Sequence, residues 1–211
     1  MKLLLTSTGL EGKVKDFFIN LIDKPPQQLN LAFIPTAADP YSDKWFMEKD
    51  LENLKNIGFK VTVVDLKDNP QTIKTKLENS QIIYVGGGNT FYLLHWVCQS
   101  KLDTYLKDLL ANNRYYVGAS AGSVLVGPDI ALSGWDPGWD TNDVGLTDTS
   151  GLNFVPFAVS PHFTEKKRMV LESHSVNYPV IPITDQQAIY SNDDDWQLVG
   201  DGENINLKHH G

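Results

Sequence analysis

The stretch Gly118-Ala119-Ser120-Ala121-Gly122-Ser123 sets one hydroxyl among the smallest residues of the chain, directly after the apolar run Tyr115-Tyr116-Val117. This is the G-x-S-x-G pattern of a serine nucleophile exposed at a sharp strand-to-helix turn. Side chains flanking such a turn would collide with neighbouring strands, and glycine removes the collision. The helix that follows would point its N-terminus at the site, and the Ala121 N–H would be one donor to a substrate oxyanion. The bland alternative is a tight turn in which Ser120 only caps the next helix. A second glycine-rich turn, Gly86-Gly87-Gly88-Asn89-Thr90-Phe91, follows Ile82-Ile83-Tyr84-Val85. It lacks the Gly-Lys-Ser/Thr of a phosphate loop and the spacing of a dinucleotide fingerprint. It reads either as a turn capped by Thr90 or as the source of a second oxyanion N–H, from Gly87 or Gly88.

A serine nucleophile needs a base. His95 lies in the apolar helix "FYLLHWV", where packing is the simpler role; His174 sits at a helix end, and His209 and His210 belong to a polar terminus. His162 is different, because it follows the apolar "FVPFAVS" and Pro161 fixes the backbone before it. A rigid loop at a strand end is where a general base belongs. For the acid that orients the base, Asp136, Asp140 and Asp143 in "GWDPGWDTND" compete with Asp185, which ends the apolar "VIPIT". Asp185 can be held rigidly beside His162, whereas the loop carboxylates can equally be solvated or face a substrate. Asp193-Asp194-Asp195 reads as a hairpin turn without chemistry.

The elements that must position these groups alternate. Strands are expected at Lys2 to Thr8, Leu31 to Thr36, Phe59 to Asp65, Gln81 to Val85 and Tyr115 to Val117. Between them run amphipathic helices: Val14 to Ile22, a Ser42-capped helix through Leu54 to Gly58, and Leu102 to Leu110. This alternation implies an α/β fold with a mostly parallel sheet built from right-handed crossovers. Open parallel sheets bind ligands beyond their strands' carboxyl ends, where both glycine turns fall. The tail from Gln187 to Leu207 reads as short antiparallel strands.

The totals narrow the class. With 211 residues the chain is expected to form a single domain spanning 1–211. A formal charge of −8 without a basic run argues against nucleic acid as a partner. One cysteine, Cys98, excludes an internal disulfide and a thiolate metal cluster. No apolar window approaches a membrane span or a signal peptide, so a cytoplasmic protein without membrane attachment is expected.

"VGGGNTF", "GASAGS" and "SPHFTE", in that order, resemble the peptidase E family of α-aspartyl dipeptidases, whose relatives include cyanophycinases. The resemblance runs from "KLLLTS" to "TDQQAI" and implies a three-layer sandwich of the class I glutamine amidotransferase-like type. It also implies a serine peptidase that needs no cofactor and no metal. Its family roles map onto Ser120 as nucleophile, His162 as base, and Gly88 and Ala121 as oxyanion donors. The acid maps onto Asp185, with Asp143 of "TND" in reserve. Substrate contacts are implied near Asn89 and after the histidine, where the family's longer loop carries an arginine for the aspartyl side chain. Here Glu165 stands in that position, with Lys166 or Arg168 as substitutes that do not match it cleanly. An acidic residue would repel an aspartyl substrate, so little preference for N-terminal aspartate is expected.

The leading expectation is therefore a serine peptidase acting on short peptides, as a monomer or homodimer. The alternatives are an α/β-hydrolase esterase, in which Ser120 and His162 would lie unusually close in sequence, and a non-catalytic binding protein of the same fold.

Overall fold

Burial alternates along each central strand, and this sets the layers. In β1 (Lys2–Thr6), Leu3 and Leu5 join one apolar cluster while Leu4 joins another on the opposite face. The computed structural model describes residues 1–208 apart from Pro137, Ser175 and Asp194. The chain continues through α1 (Gly12–Leu21), β2 (Asn30–Ile34), α2 (Trp45–Ile57), β3 (Lys60–Val63), α3 (Pro70–Glu78) and β4 (Ile82–Val85). Next come α4 (Thr90–Gln99), α5 (Leu106–Ala111), β5 (Tyr115–Ala119), α6 (Ala121–Val124), β6 (Ala158–Ser160) and α7 (Glu165–Ser173). The last elements are β7 (Val180–Pro182), β8 (Gln187–Asn192) and β9 (Asp195–Gly200).

Seven strands form one sheet in the order β3-β2-β4-β5-β1-β8-β9. The first five are parallel; β8 pairs antiparallel with β1, and β9 antiparallel with β8. Val14 and Phe18 of α1 and Leu54 of α2 pack on one face. Ile73 and Leu77 of α3, Leu94 and Val97 of α4, Leu110 of α5 and Val124 of α6 pack on the other. The expected α/β architecture with a mostly parallel sheet is the one observed. β6 and β7 form a separate parallel pair, in register from Ala158↔Val180 to Ser160↔Pro182.

Several boundaries differ from those expected. Ser42 does not cap α2; Lys44 is the N-cap residue, and the Asp43 carboxylate just before it accepts the N–H of Trp45, the first helical residue, at 3.1 Å. The helix expected over 102–110 is broken, because Tyr105 leaves helical dihedrals (φ −131°) between a short 3₁₀ turn and α5. Asn89, not Thr90, caps α4, its side chain accepting the Tyr92 N–H at 2.8 Å. Among the described residues no helix is long and apolar enough to cross a membrane.

Candidate active site

β4, β5 and β1 are adjacent in the sheet, so their carboxyl ends bring Gly86–Gly88, Ser120 and Ser7 to one edge. Ser120 has φ +49° and ψ −109°, a strained conformation for a residue with a Cβ. Its surroundings hold it there. Ser120 N–H donates to the Thr6 carbonyl (3.0 Å), and the Tyr116 hydroxyl donates to Gly122 O (2.6 Å). The small flanking residues are now explained by contact: a Cβ on Gly118 would lie 2.5 Å from Gly122 O, and one on Gly122 would lie 2.2 Å from Val85 O. The turn can close only with glycine at both places.

The helix after the serine is shorter than expected. α6 is a single turn, too short for a sizeable macrodipole, so any charge stabilisation must come from individual N–H groups. Among the described residues, the N–H groups of Gly88 and Ala121 meet no backbone acceptor. Gly88 has φ +139°, and a Cβ there would stand 2.1 Å from Ala37 O, so only glycine brings this backbone to the site.

The β6–β7 pair delivers the other two groups. Ile183 N–H donates to Ser160 O and Phe163 N–H to Ile183 O, both at 2.9 Å, so the chain ends after both strands run side by side. His162, at φ +55°, turns its ring between Ser120 and Asp185. Nε2 lies 2.9 Å from Ser120 Oγ, and Nδ1 lies 2.7 Å from Asp185 Oδ1. An ionised carboxylate only accepts, so Nδ1 carries the proton and Nε2 is left to accept the Ser120 hydroxyl proton.

Ser7, which the motifs did not single out, locks this pair. Its Oγ accepts the His162 N–H (2.8 Å) and donates to Asp185 Oδ1 (2.8 Å). Burial pushes the Asp185 carboxyl up, but the hydrogen bonds from Ser7 and His162 and the charge of Lys167 outweigh it and hold it below its ordinary value. Asp185 therefore stays ionised across the neutral range.

The other singled-out residues are placed as follows. Asp143 is exposed and accepts from Thr141 Oγ1 (2.8 Å), and Asp136 accepts the Gly138 N–H (2.9 Å); neither reaches His162. Asn89 is buried, and beyond its capping role its amide donates to Thr141 O (2.8 Å). Glu165 pairs with Arg168 (2.7 Å), which also reaches Glu172 and the Asn206 carbonyl. Glu165, Lys166 and Arg168 line neither cavity at Ser120. Lys167 does: its Nζ donates to Pro161 O (3.1 Å) and lies 4.5 Å from the centre of the Trp139 ring. His95 packs edge-on against Trp96, and His174 stacks on Trp135 at 4.2 Å. His209, His210 and Asp194 lie outside the described residues.

Two cavities meet at Ser120. The larger, about 480 Å³, runs along His162 and Asp185 past Gly88 to the aromatic wall of Tyr41, Trp45 and Phe46. The smaller, about 330 Å³, lies under the tryptophan loop and is bounded by Trp139, Asp140, Ser160 and Lys167.

In the wall of the larger cavity the Asp50 carboxylate accepts the hydroxyl of buried Tyr84 at 2.9 Å. Burial, reinforced by Glu11, pushes Asp50 up to about 7 against the pull of that bond. The unfolded chain ionises Asp50 near pH ~3.9. The folded protein holds this proton more tightly, so Asp50's contribution is most favourable below that value and is lost as pH rises towards 7. Asp50→Asn keeps an acceptor for Tyr84 and removes the titration. Its stability relative to wild type is expected to rise by about 3 kcal/mol between pH ~4 and pH ~8 in denaturant melts. A difference independent of pH would contradict this.

Fold and site together define a class: a hydrolase with a strand-end serine on an open α/β sheet. The chain belongs to peptidase family S51, whose sequence profile matches residues 3–199. It is 30% identical over 171 residues to the peptidase Lmo0363 of Listeria monocytogenes, covering 78% of this chain and 82% of that one. It is 32% identical over 167 residues to peptidase E of Shigella flexneri, covering 77% and 68%. A solved peptidase E-type structure from Listeria monocytogenes superposes with a TM-score of 0.84 at 28% identity, over 95% of this chain and 98% of that one. A peptidase from an acI-B1 actinobacterium shares the fold at a TM-score of 0.65 and 19% identity, over 100% and 95%. The protein is a serine-type peptidase.

Proposed function

We propose that the protein is a dipeptidase-like hydrolase of short peptides that works through Ser120, His162 and Asp185 by way of an acyl-enzyme. The observation that carries this reading is the unbroken hydrogen-bond chain from Ser120 Oγ through both nitrogens of His162 to Asp185 Oδ1. Ser120 Oγ attacks the scissile carbonyl while His162 Nε2 takes its proton. The N–H groups of Gly88 and Ala121 receive the oxyanion. His162 then returns the proton to the departing amine, and water attacks the ester by the same route in reverse. Because the proton comes from His162, the amine leaves on the His162 side, into the larger cavity, and the acyl part occupies the smaller one.

Strict selection of N-terminal aspartate is not part of this proposal. Arg168 is committed to Glu165, Glu172 and Asn206, so no guanidinium fork faces the acyl part. Glu165 is likewise neutralised by Arg168 and stands outside the cavity, so the repulsion expected from it is not exerted there. A dipeptide panel followed by mass spectrometry tests the proposal: several neutral N-terminal residues should be cleaved within about tenfold of Asp-Xaa. Cleavage of Asp-Xaa alone would refute the relaxed specificity, and cleavage of no peptide would refute the function.

A further inference from the structure

The tryptophan loop has no part in the proton-transfer chain, yet it is tied firmly against the nucleophile. Asp140 N–H donates to Ser133 O (2.9 Å), and Ser133 Oγ donates to Thr90 Oγ1 (3.1 Å). Thr90 in turn donates through its N–H (2.7 Å) and its hydroxyl (2.6 Å) to Asp140 Oδ2. The Asn89 amide holds the next carbonyl, Thr141 O, at 2.8 Å. These bonds fix a carboxylate at the junction of the two cavities, since Asp140 and Ser120 both line each of them.

We infer that this loop builds the subsite for the substrate's N-terminal residue, with the Asp140 carboxylate holding its free α-ammonium group. The inference rests on the proposed function, which places the acyl part in the smaller cavity. Three observations lead to it. Ser120 lines that cavity and His162 does not, as an acyl-side pocket requires. Its volume of about 330 Å³ suits a single residue rather than an extended peptide. Finally, Asp140 has no direct ion-pair partner among the described residues, although the charge of Lys167 and the Tyr41 hydroxyl act on it from the cavity walls. Its hydrogen bonds from Thr90 both fall on Oδ2, leaving Oδ1 unused by Thr90.

A desolvated carboxylate without a direct ion pair is stabilised when a cation reaches it. Burial raises the Asp140 pKa despite the Thr90 bonds, the charge of Lys167 and the Tyr41 hydroxyl. Lys167 borders the same cavity and its charge favours the ionised form of Asp140, but its ammonium hydrogen-bonds to Pro161 O and lies over the Trp139 face rather than pairing directly with the carboxylate. An α-ammonium arriving beside Ser120 supplies a direct ion pair to Asp140 and fixes the scissile carbonyl one residue from the N-terminus. Asp140 is thus the residue that reads the free amino end of a dipeptide, and N-acylated peptides are rejected for lacking that contact.

The test compares kcat/KM for a cleaved dipeptide and its N-acetylated form, in wild type and in Asp140→Asn, with fluorophosphonate labelling of Ser120 alongside. Wild type should favour the free dipeptide by roughly 100-fold, and Asp140→Asn should bring that ratio to within about threefold. Asp140→Glu, which keeps the charge, should retain most of the preference. Equal use of both substrates by wild type, or an unchanged ratio in Asp140→Asn, overturns the inference. If Asp140→Asn does not fold, the wild-type ratio and that of Asp140→Glu decide. Labelling of Ser120 without cleavage of either peptide overturns the subsite but leaves the nucleophile; neither labelling nor cleavage removes the proposed function as well.

Discussion

Ser120→Ala is expected to lower kcat/KM for dipeptides by at least ~10⁴-fold while the protein remains folded. In the proposed mechanism the loss is large because the hydroxyl is the atom that bonds to substrate carbon; without it the proposed oxyanion donors and the cavities can act only on attacking water. Folding should survive because alanine keeps the Cβ, and Ser120's own anchor is its backbone N–H to Thr6 O. The same position permits a sharper test. A residue with a Cβ at φ +49° is strained, and glycine is not. Ser120→Gly should therefore be equally inactive yet more stable than Ser120→Ala by about 1 kcal/mol in chemical melts. Residual activity in Ser120→Ala near the wild-type level would move the nucleophile elsewhere. A glycine variant less stable than alanine would mean that the backbone strain is not borne at this residue.

Much of this arrangement was legible in the residues because local rules acted on it. An apolar run ending at G-x-S-x-G left few conformations other than a strand and a tight turn, and the contacts at Gly118 and Gly122 show why. Asp185 was readable as rigid because it ends an apolar stretch, although only the β6–β7 pairing puts it beside His162. Ser7 was missed for the opposite reason. Nothing within "LLTSTG" marks a functional serine; its role arises because β1 lies beside β5 and close to the loops carrying His162 and Asp185. The signal was nonetheless present, since a polar residue at the carboxyl end of a central parallel strand stands where ligands bind. Lys167 was passed over for Lys166 and Arg168 because spacing alone does not say which face of α7 turns inward. α7 sends Arg168 towards Glu165 and Glu172 and Lys167 towards Pro161 and Trp139. The tryptophan loop was opaque in sequence because its order depends on distant partners, Asn89 and Thr90 at the start of α4.

Asp185→Asn should show whether the carboxylate is needed for its charge or for its shape. The side-chain amide can turn its oxygen to accept from Nδ1 only if its NH₂ then takes the place of Oδ2, while Ser7 must continue to donate to the same oxygen. If instead the NH₂ faces the ring, Nδ1 must accept, and the proton moves to Nε2, where it blocks removal of the Ser120 proton. Loss of the negative charge also leaves the imidazolium formed during attack without its partner. The two effects together should lower kcat by about 10³- to 10⁴-fold with KM little changed, since Asp185 supports the reacting atoms rather than the bound peptide. Solvent reaches this pair, with 43% of the His162 side chain and 62% of the Asp185 side chain exposed, which places the expected loss towards the lower end. Ser7→Ala serves as the comparison. It removes one donor to Asp185 and the acceptor of the His162 N–H but leaves the carboxylate in place, so its loss should be smaller, on the order of tenfold in kcat. A wild-type kcat in Asp185→Asn would break the chain at its last bond, whereas a loss in Ser7→Ala exceeding that in Asp185→Asn would make the held backbone of His162, rather than the charge behind its ring, the decisive element.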